Sequence, residues 1–362
     1  MKDSYLTAGI RFRPLVRLVS RNHITWTPQN ITRILFLLQS SFWSSLFSRI
    51  ETLRFGTSLQ HTQVPRDPIF IVGHWRTGST LLHQLMAQDP ELTAPTLFQV
   101  ALPENFLVSY HFYKPILSSL MGSSRPMDDV KIGMKEPQED EYALFRLTTR
   151  SPLEQLIFPI KKAYFLKETS FLPTGESLLQ WESRFKDFYR KIYFATGKRI
   201  VSKNPFNSMR IPLLVKLFPE ARFIHIVRHP FAVVPSTKHL WRVVQNQNIL
   251  NRNGYIPDAK EIAEFLLHMT NTIQNDFTKL PAERFSEIRF EDLEQDPVAS
   301  LQILYRDQKL SFSHDFERLL NQYISSLAGY HKNVYSLSVV EKKVIATIMN
   351  TQMERYGYIE NV

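Results

Sequence analysis

Pro68-Ile69-Phe70-Ile71-Val72-Gly73-His74-Trp75-Arg76-Thr77-Gly78-Ser79-Thr80-Leu81-Leu82 is the stretch from which the fold is read. The short apolar run Ile69 to Val72 reads as a buried strand. Gly73 to Gly78 breaks it, and from Ser79 to Gln88 apolar residues return at helical spacing through Leu81, Leu82, Leu85 and Met86. A strand, a glycine-bounded loop and a helix together aim backbone N–H groups and a helix N-terminus at one anion.

The spacing Gly73-x-x-x-x-Gly78 is that of a P-loop, but Ser79-Thr80 follows where a nucleoside triphosphatase would carry Lys-Ser or Lys-Thr. That lysine reaches the β- and γ-phosphates, so a loop without it suits a triphosphate poorly. Arg76 instead puts a fixed guanidinium inside the loop, able to grip a phosphate through two parallel hydrogen bonds. The expected ligand is a 5′-phosphate with no γ-phosphate to hold. Two glycines also mark ordinary strand–helix turns, so the loop needs support from other segments.

Two further strand ends give it. Arg199 to Ser202 reads as a buried strand and runs directly into Lys203-Asn204-Pro205-Phe206, which places Lys203 where open α/β sheets keep their ligands. Arg222 to Val227 is another strand, followed by Arg228-His229-Pro230 and a helix carrying Ser236 in its first turns. Arg228 and Ser236 could reach one phosphate by charge and by hydroxyl. Three strand ends thus each present a cation.

Glu136 to Glu141 holds four acids in six residues. Pro137 and these acids fit an ordinary helix start. Alternatively Glu139 or Glu136 faces the phosphate loop as a general base.

The surroundings bound these readings. The chain has 362 residues, 43% hydrophobic, with a net charge of +10, which predicts an anionic partner. It has no cysteine, which excludes disulfides and thiolate chemistry. Its basic residues are dispersed, which disfavours a nucleic-acid binder. Met1 to Arg13 lacks the apolar core of a signal peptide, so a cytoplasmic chain is expected. Ile31 to Ile50 fits one helix face but is too interrupted by Arg33, Gln39, serines and Arg49 to span a bilayer. It reads as an amphipathic helix packed on the main domain or, alternatively, lying on a membrane or partner. Residues 96–135 are aromatic and poorly periodic, and with 240–257 they are expected to shape an acceptor pocket.

An amphipathic helix is expected over 175–196, helices over 258–280 and 297–307, a polar C-terminal helix over 338–356, and a strand at Phe285 to Phe290. Strands separated by helices argue for an α/β, P-loop-like three-layer sandwich, its mainly parallel sheet flanked by helices, with an N-terminal helical extension. The expected division is an extension over 1–60 and an α/β domain over 61–362.

Gly73 to Thr80 resembles the 5′-phosphosulfate-binding loop of sulfotransferases, which use 3′-phosphoadenosine 5′-phosphosulfate. Arg228 with Ser236 is similar to their 3′-phosphate-binding pair. Ser202-Lys203-Asn204-Pro205-Phe206 followed by Leu217-Phe218-Pro219 looks like the protein-tyrosine and bacterial members. The likeness continues through Glu136 to Glu141, Arg289 to Pro297 and Arg355-Tyr356-Gly357-Tyr358. It spans about residues 65–362. Trp75 stands where the family loop commonly has Pro, while the loop hydroxyls are kept.

The resemblance implies transfer of a sulfuryl group, without a metal, to a hydroxyl or amine of a small-molecule, lipid, glycan or peptide acceptor. Arg76, Thr77, Gly78, Ser79 and Thr80 would hold the 5′-phosphate, and Arg228 and Ser236 the 3′-phosphate. Lys203 would stabilise the leaving oxygen, and Glu139 or Glu136 would take the acceptor's proton. A nucleotide or small-molecule kinase, and a non-catalytic membrane- or partner-binding protein working through residues 30–50, are the alternatives.

Overall fold

The computed structural model describes residues 6–120, 133–158, 173–248, 250, 255–327 and 335–358. In chain order the elements begin with α1 (Phe12–Ser20), α2 (Pro28–His61), β1 (Ile69–Val72), α3 (Ser79–Met86), β2 (Leu92–Thr93), α4 (Leu97–Ala101) and α5 (Phe106–Leu120). There follow α6 (Glu141–Thr148), α7 (Glu154–Ile157), α8 (Glu176–Thr196), β3 (Arg199–Lys203), α9 (Ile211–Leu217), β4 (Arg222–Val227) and α10 (Pro230–Asn248). The chain closes with α11 (Ala259–Phe277), β5 (Phe285–Arg289), α12 (Phe290–Gln295), α13 (Pro297–Asp307), α14 (His314–Ser326) and α15 (Val339–Arg355).

These elements gather into two compact units. One comprises residues 66–94, 198–241 and 257–362, and the other residues 1–65, 95–197 and 242–256.

The first unit is a three-layer sandwich around a parallel sheet of order β2-β3-β1-β4-β5. The central strand β1, IFIV, is apolar and buried throughout because both faces of a parallel sheet are covered, whereas the edge strand β5, FSEIR, is only partly buried. Side chains alternate along β1. Ile69 and Ile71 pack with Leu82, Leu85 and Met86 of α3, Leu301 and Leu304 of α13, and Phe316 and Leu320 of α14. Phe70 points the other way, its ring 5.8 Å from Phe218 and 5.7 Å from Phe223, which in turn meets Phe277 of α11. On this side α11 and α15 share a core with Val233 and Val234 of α10.

The strand order makes β1 a switch point. The chain leaves it toward β2 and β3 on one side and takes up β4 and β5 on the other. Crevices at the carboxyl ends of such strands are where open α/β sheets bind ligands.

In the second unit α2 lays a strip of small residues against its neighbours. Ser44 Oγ donates to Gly9 O at 2.7 Å, and Asn105 Nδ2 donates to Ser44 Oγ at 3.1 Å. Buried Glu51 accepts from Leu107 N at 2.8 Å and pairs with the ammonium of Lys191 from α8. Helix α8 buries Phe185, Phe188, Tyr189 and Ile192 as its spacing predicts, and Trp181 as well, while Leu179, expected on the same face, is exposed.

Two expectations need correction here. Residues 97–101 and 106–120 are the helices α4 and α5, although the sequence reads as irregular. The acidic segment does not begin a helix at Pro137: Pro137 pairs with Thr96 as a β-bridge, and α6 starts at Glu141. Residues 121–132, 249 and 251–254, within the expected acceptor-pocket segments, lie outside the described residues.

Candidate active site

The loop after β1 is built by close approach. Gly73 has φ 141° and Gly78 φ 91°. A Cβ on Gly78 would stand 2.0 Å from the Phe290 ring, so this turn admits glycine for two independent reasons. Ser208 anchors the loop's start, accepting from Gly73 N at 2.8 Å and donating to Gly73 O at 3.2 Å. Thr77 Oγ1 donates to His74 O at 2.8 Å and closes the turn. Arg76 itself lies in the left-handed region, at φ 69°. A non-glycine residue held there commonly marks a functional turn.

From this turn the Arg76 Nε donates to Ser236 Oγ at 2.8 Å, and Arg228 Nη1 donates to the Arg76 carbonyl at 3.3 Å. The structure therefore brings together three residues nominated from separate segments. Ser79 and Thr80 open α3, whose N-cap is Gly78, so their N–H groups belong to the helix terminus. Arg228 rests its guanidinium 4.2 Å from the centroid of Phe290, the ring that also packs on Gly78. One side chain thus braces the loop and the cation beside it.

Lys203 ends β3 in parallel register with Ile71 of β1, two residues before Gly73, and is only 5% exposed. The next residue's N–H, that of Asn204, donates to Ile71 O at 3.4 Å. His83 of α3 lies close enough for the Lys203 charge to act on it. Burial first, and that charge second, push His83 down to about 3, although its Nε2 is 3.1 Å from Val201 O. Since a carbonyl only accepts, Nε2 carries the proton. His74 is likewise buried and pushed down to about 4, with Nδ1 bonded to Trp75 O. Both histidines are packed neutral groups with proton affinities far below those of a base poised near neutrality.

Several neighbours take contacts that the sequence reading does not assign. Trp75 stands amid aromatic rings, 5.1 Å from Phe206, 6.0 Å from Phe265 and 6.3 Å from Trp241. An aromatic residue in a phosphate-type loop was the available signal. Glu291 accepts from His229 N at 3.0 Å and from the Tyr358 hydroxyl at 2.7 Å, tying the residue after Arg228 to the C-terminal segment. Phe290 and Glu291 fall within the Arg289 to Pro297 stretch that carries the resemblance, but their contacts with the loop segments have no local signal.

Glu136 and Glu139 belong to the other unit and are half-buried. Their segment is ordered by backbone bonds: Leu97 N to Glu136 O at 2.9 Å and Gln138 N to Pro95 O at 2.8 Å.

Within the sheet unit the arrangement is an anion cradle: loop and helix N–H groups, two guanidiniums and a hydroxyl, with a buried ammonium on the next strand. Such a set suits a phosphorylated ligand and a reaction that builds negative charge.

Comparison with known proteins agrees with this chemistry. A profile of the sulfotransferase family matches residues 68–314. The chain is 30% identical over 359 residues to the omega-hydroxy-beta-dihydromenaquinone-9 sulfotransferase Stf3 of Mycobacterium bovis and Mycobacterium tuberculosis, covering 98% of this chain and 91% of the relative. Among solved structures, the sulfotransferase STF9 from Mycobacterium avium superposes with a TM-score of 0.71 at 17% identity, over 94% of this chain and 90% of that one. The sulfotransferase STF1 from Mycobacterium tuberculosis does so with a TM-score of 0.61 at 16% identity, over 92% and 91%.

Proposed function

Because the chain belongs to the sulfotransferase family, we propose that it moves a sulfuryl group from 3′-phosphoadenosine 5′-phosphosulfate to a hydroxyl on a lipid acceptor. The observation that carries the donor is the joining of Arg76, Ser236 and Arg228 around one loop turn. Arg76 and the N–H groups of Thr77, Gly78, Ser79 and Thr80 take the 5′-phosphate, and Arg228 with Ser236 takes the 3′-phosphate. Two guanidiniums and a hydroxyl beside a loop without the P-loop lysine favour a bisphosphate over a triphosphate.

Sulfuryl transfer resembles phosphoryl transfer in spreading charge onto the peripheral and leaving oxygens. Lys203 stabilises the leaving oxygen, since a cation on a buried strand end acts with little solvent screening. A carboxylate, Glu139 or Glu136, receives the acceptor's proton. The lipid acceptor is supported by identity along nearly the whole chain to a relative named for a long-chain hydroxylated quinone. Among the described residues no helix is long and apolar enough to cross a membrane. The proposed meeting place with a lipid acceptor is the cytoplasmic surface of a bilayer.

Calorimetric titration with adenosine 3′,5′-bisphosphate and with ATP tests the donor. The bisphosphate should bind at least tenfold more tightly, and equal affinities would remove the reading. An acceptor screen with a sulfur-radiolabelled donor then decides among hydroxylated lipids, glycans and peptides.

A further inference from the structure

Helix α2 has two unlike faces. Leu37, Ser41, Ser44, Ser48 and Glu51 are buried. The far side carries Ile31, Leu35, Phe42, Leu46, Ile50 and Leu53, all exposed, Leu53 to 88%. Steps of three, four and seven residues keep them in one row. Helix α1 lies along α2, held by Phe12 N to Ser45 Oγ at 3.0 Å and Gly9 N to Ser40 Oγ at 3.1 Å, and it adds exposed Phe12 and Val16. Isolated exposed apolar residues need no explanation, but a contiguous row of them marks an interaction surface.

The charges of this segment are one-sided. From Leu6 to Thr62 there are seven arginines, no lysine, no aspartate and one glutamate, Glu51. That glutamate is buried against Lys191, so it offsets nothing at the surface. Arg11 and Arg21 pair with Glu104 and Glu154. Arg13, Arg17 and Arg49 are exposed, and with Arg11 they line a cleft of about 750 Å³ bordered by Ser45, Ser48 and Thr52.

We propose that the α1–α2 face docks on a bilayer rich in anionic phospholipid. The arginine cleft receives phosphate headgroups, and the apolar row enters the acyl boundary. A bilayer surface offers the two complements together, negative charge and hydrocarbon within one plane. A second copy of this chain would instead bring arginine against arginine. Only the purpose of the contact, delivery of the enzyme to a membrane-held acceptor, rests on the lipid reading above.

The test is flotation of the full chain with vesicles of phosphatidylcholine alone and mixed with an equal part of phosphatidylglycerol. The chain should float with the mixed vesicles, less well in high salt, and poorly with the neutral ones. The triple variant R13E/R17E/R49E should lower partitioning to mixed vesicles on the order of 100-fold. Leu35→Ser with Leu53→Ser, both at exposed positions, should lower it as well. Bisphosphate affinity, measured without lipid, should stay unchanged in every variant, which separates loss of docking from loss of the fold or of the donor site. Failure of the parent chain to float, or equal flotation of the charge-reversed variant, would overturn the proposal. So would a dimer in solution that Leu53→Ser dissolves while vesicles remain unbound, since the face would then belong to a second copy.

Discussion

Ser236 Oγ accepts from Arg76 Nε at 2.8 Å although 160 residues separate the two. The bond aligns the guanidinium of a strained loop residue with the first turns of α10. Ser236→Ala removes that alignment and one hydroxyl from the anion site. A hydrogen bond to a charged group contributes about 1.5–3 kcal/mol, so the bisphosphate Kd should rise about 10-fold or more. Calorimetry on the variant checks it, and an unchanged Kd would take Ser236 out of the site.

Lys203 gives a different signature. A cation that meets the leaving oxygen works in the transition state and contributes little to ground-state binding. Lys203→Ala should therefore lower kcat by roughly 10²–10³ while the bisphosphate affinity stays nearly constant. Steady-state kinetics beside calorimetry would reveal a loss confined to binding, which contradicts the role.

The two carboxylates separate by the same logic. Glu139→Gln keeps size and hydrogen bonding but cannot take a proton. If Glu139 is the base, kcat falls by about 10²–10⁴ and the acidic limb of the pH–rate profile disappears. Glu136→Gln then stays near the parent rate. The reverse pattern transfers the role to Glu136, and two near-normal variants remove both.

Where buried strands alternate with glycine-bounded turns, the amino-acid pattern is enough. Arg222 to Val227 is β4 residue for residue, and β1 and β3 follow from equally short apolar runs. Helices α4 and α5 were hidden because the first is one turn long and the second contains Pro115 and aromatics on several sides. Helix α14 is amphipathic, with Phe316 and Leu320 on its buried face, yet no expectation covers it. The cations at the strand ends were legible because position alone implies them. Their hydrogen bonds, and Phe290 packed on both Gly78 and Arg228, come from chain segments far apart in sequence, which no local period encodes.

Gly78 joins fold and site most directly. Gly78→Ala would hold an L residue at φ 91° with its methyl against Phe290. Overpacking alone costs about 1–3 kcal/mol, and the backbone strain adds to it. The urea midpoint should fall and bisphosphate binding should be lost. In the double variant with Phe290→Ala the steric part is relieved, so it should be less destabilised than the sum of the two single changes. Simple additivity would refute the contact.

The buried histidines set the acid limit of the fold. His83 and His74 are held at about 3 and about 4 in the folded chain, against 6.5 when unfolded. Below pH about 6.5 the unfolded chain binds protons that the folded chain refuses, so stability declines as pH falls from there toward 3. His83→Gln retains a side-chain N–H for Val201 O but has nothing to titrate. Its stability should fall less steeply between pH 6.5 and 4 than that of the parent, at some cost in packing at neutral pH. Urea unfolding across that range reads the slope directly. A parent and variant with parallel curves would mean that His83 takes up its proton within the folded chain.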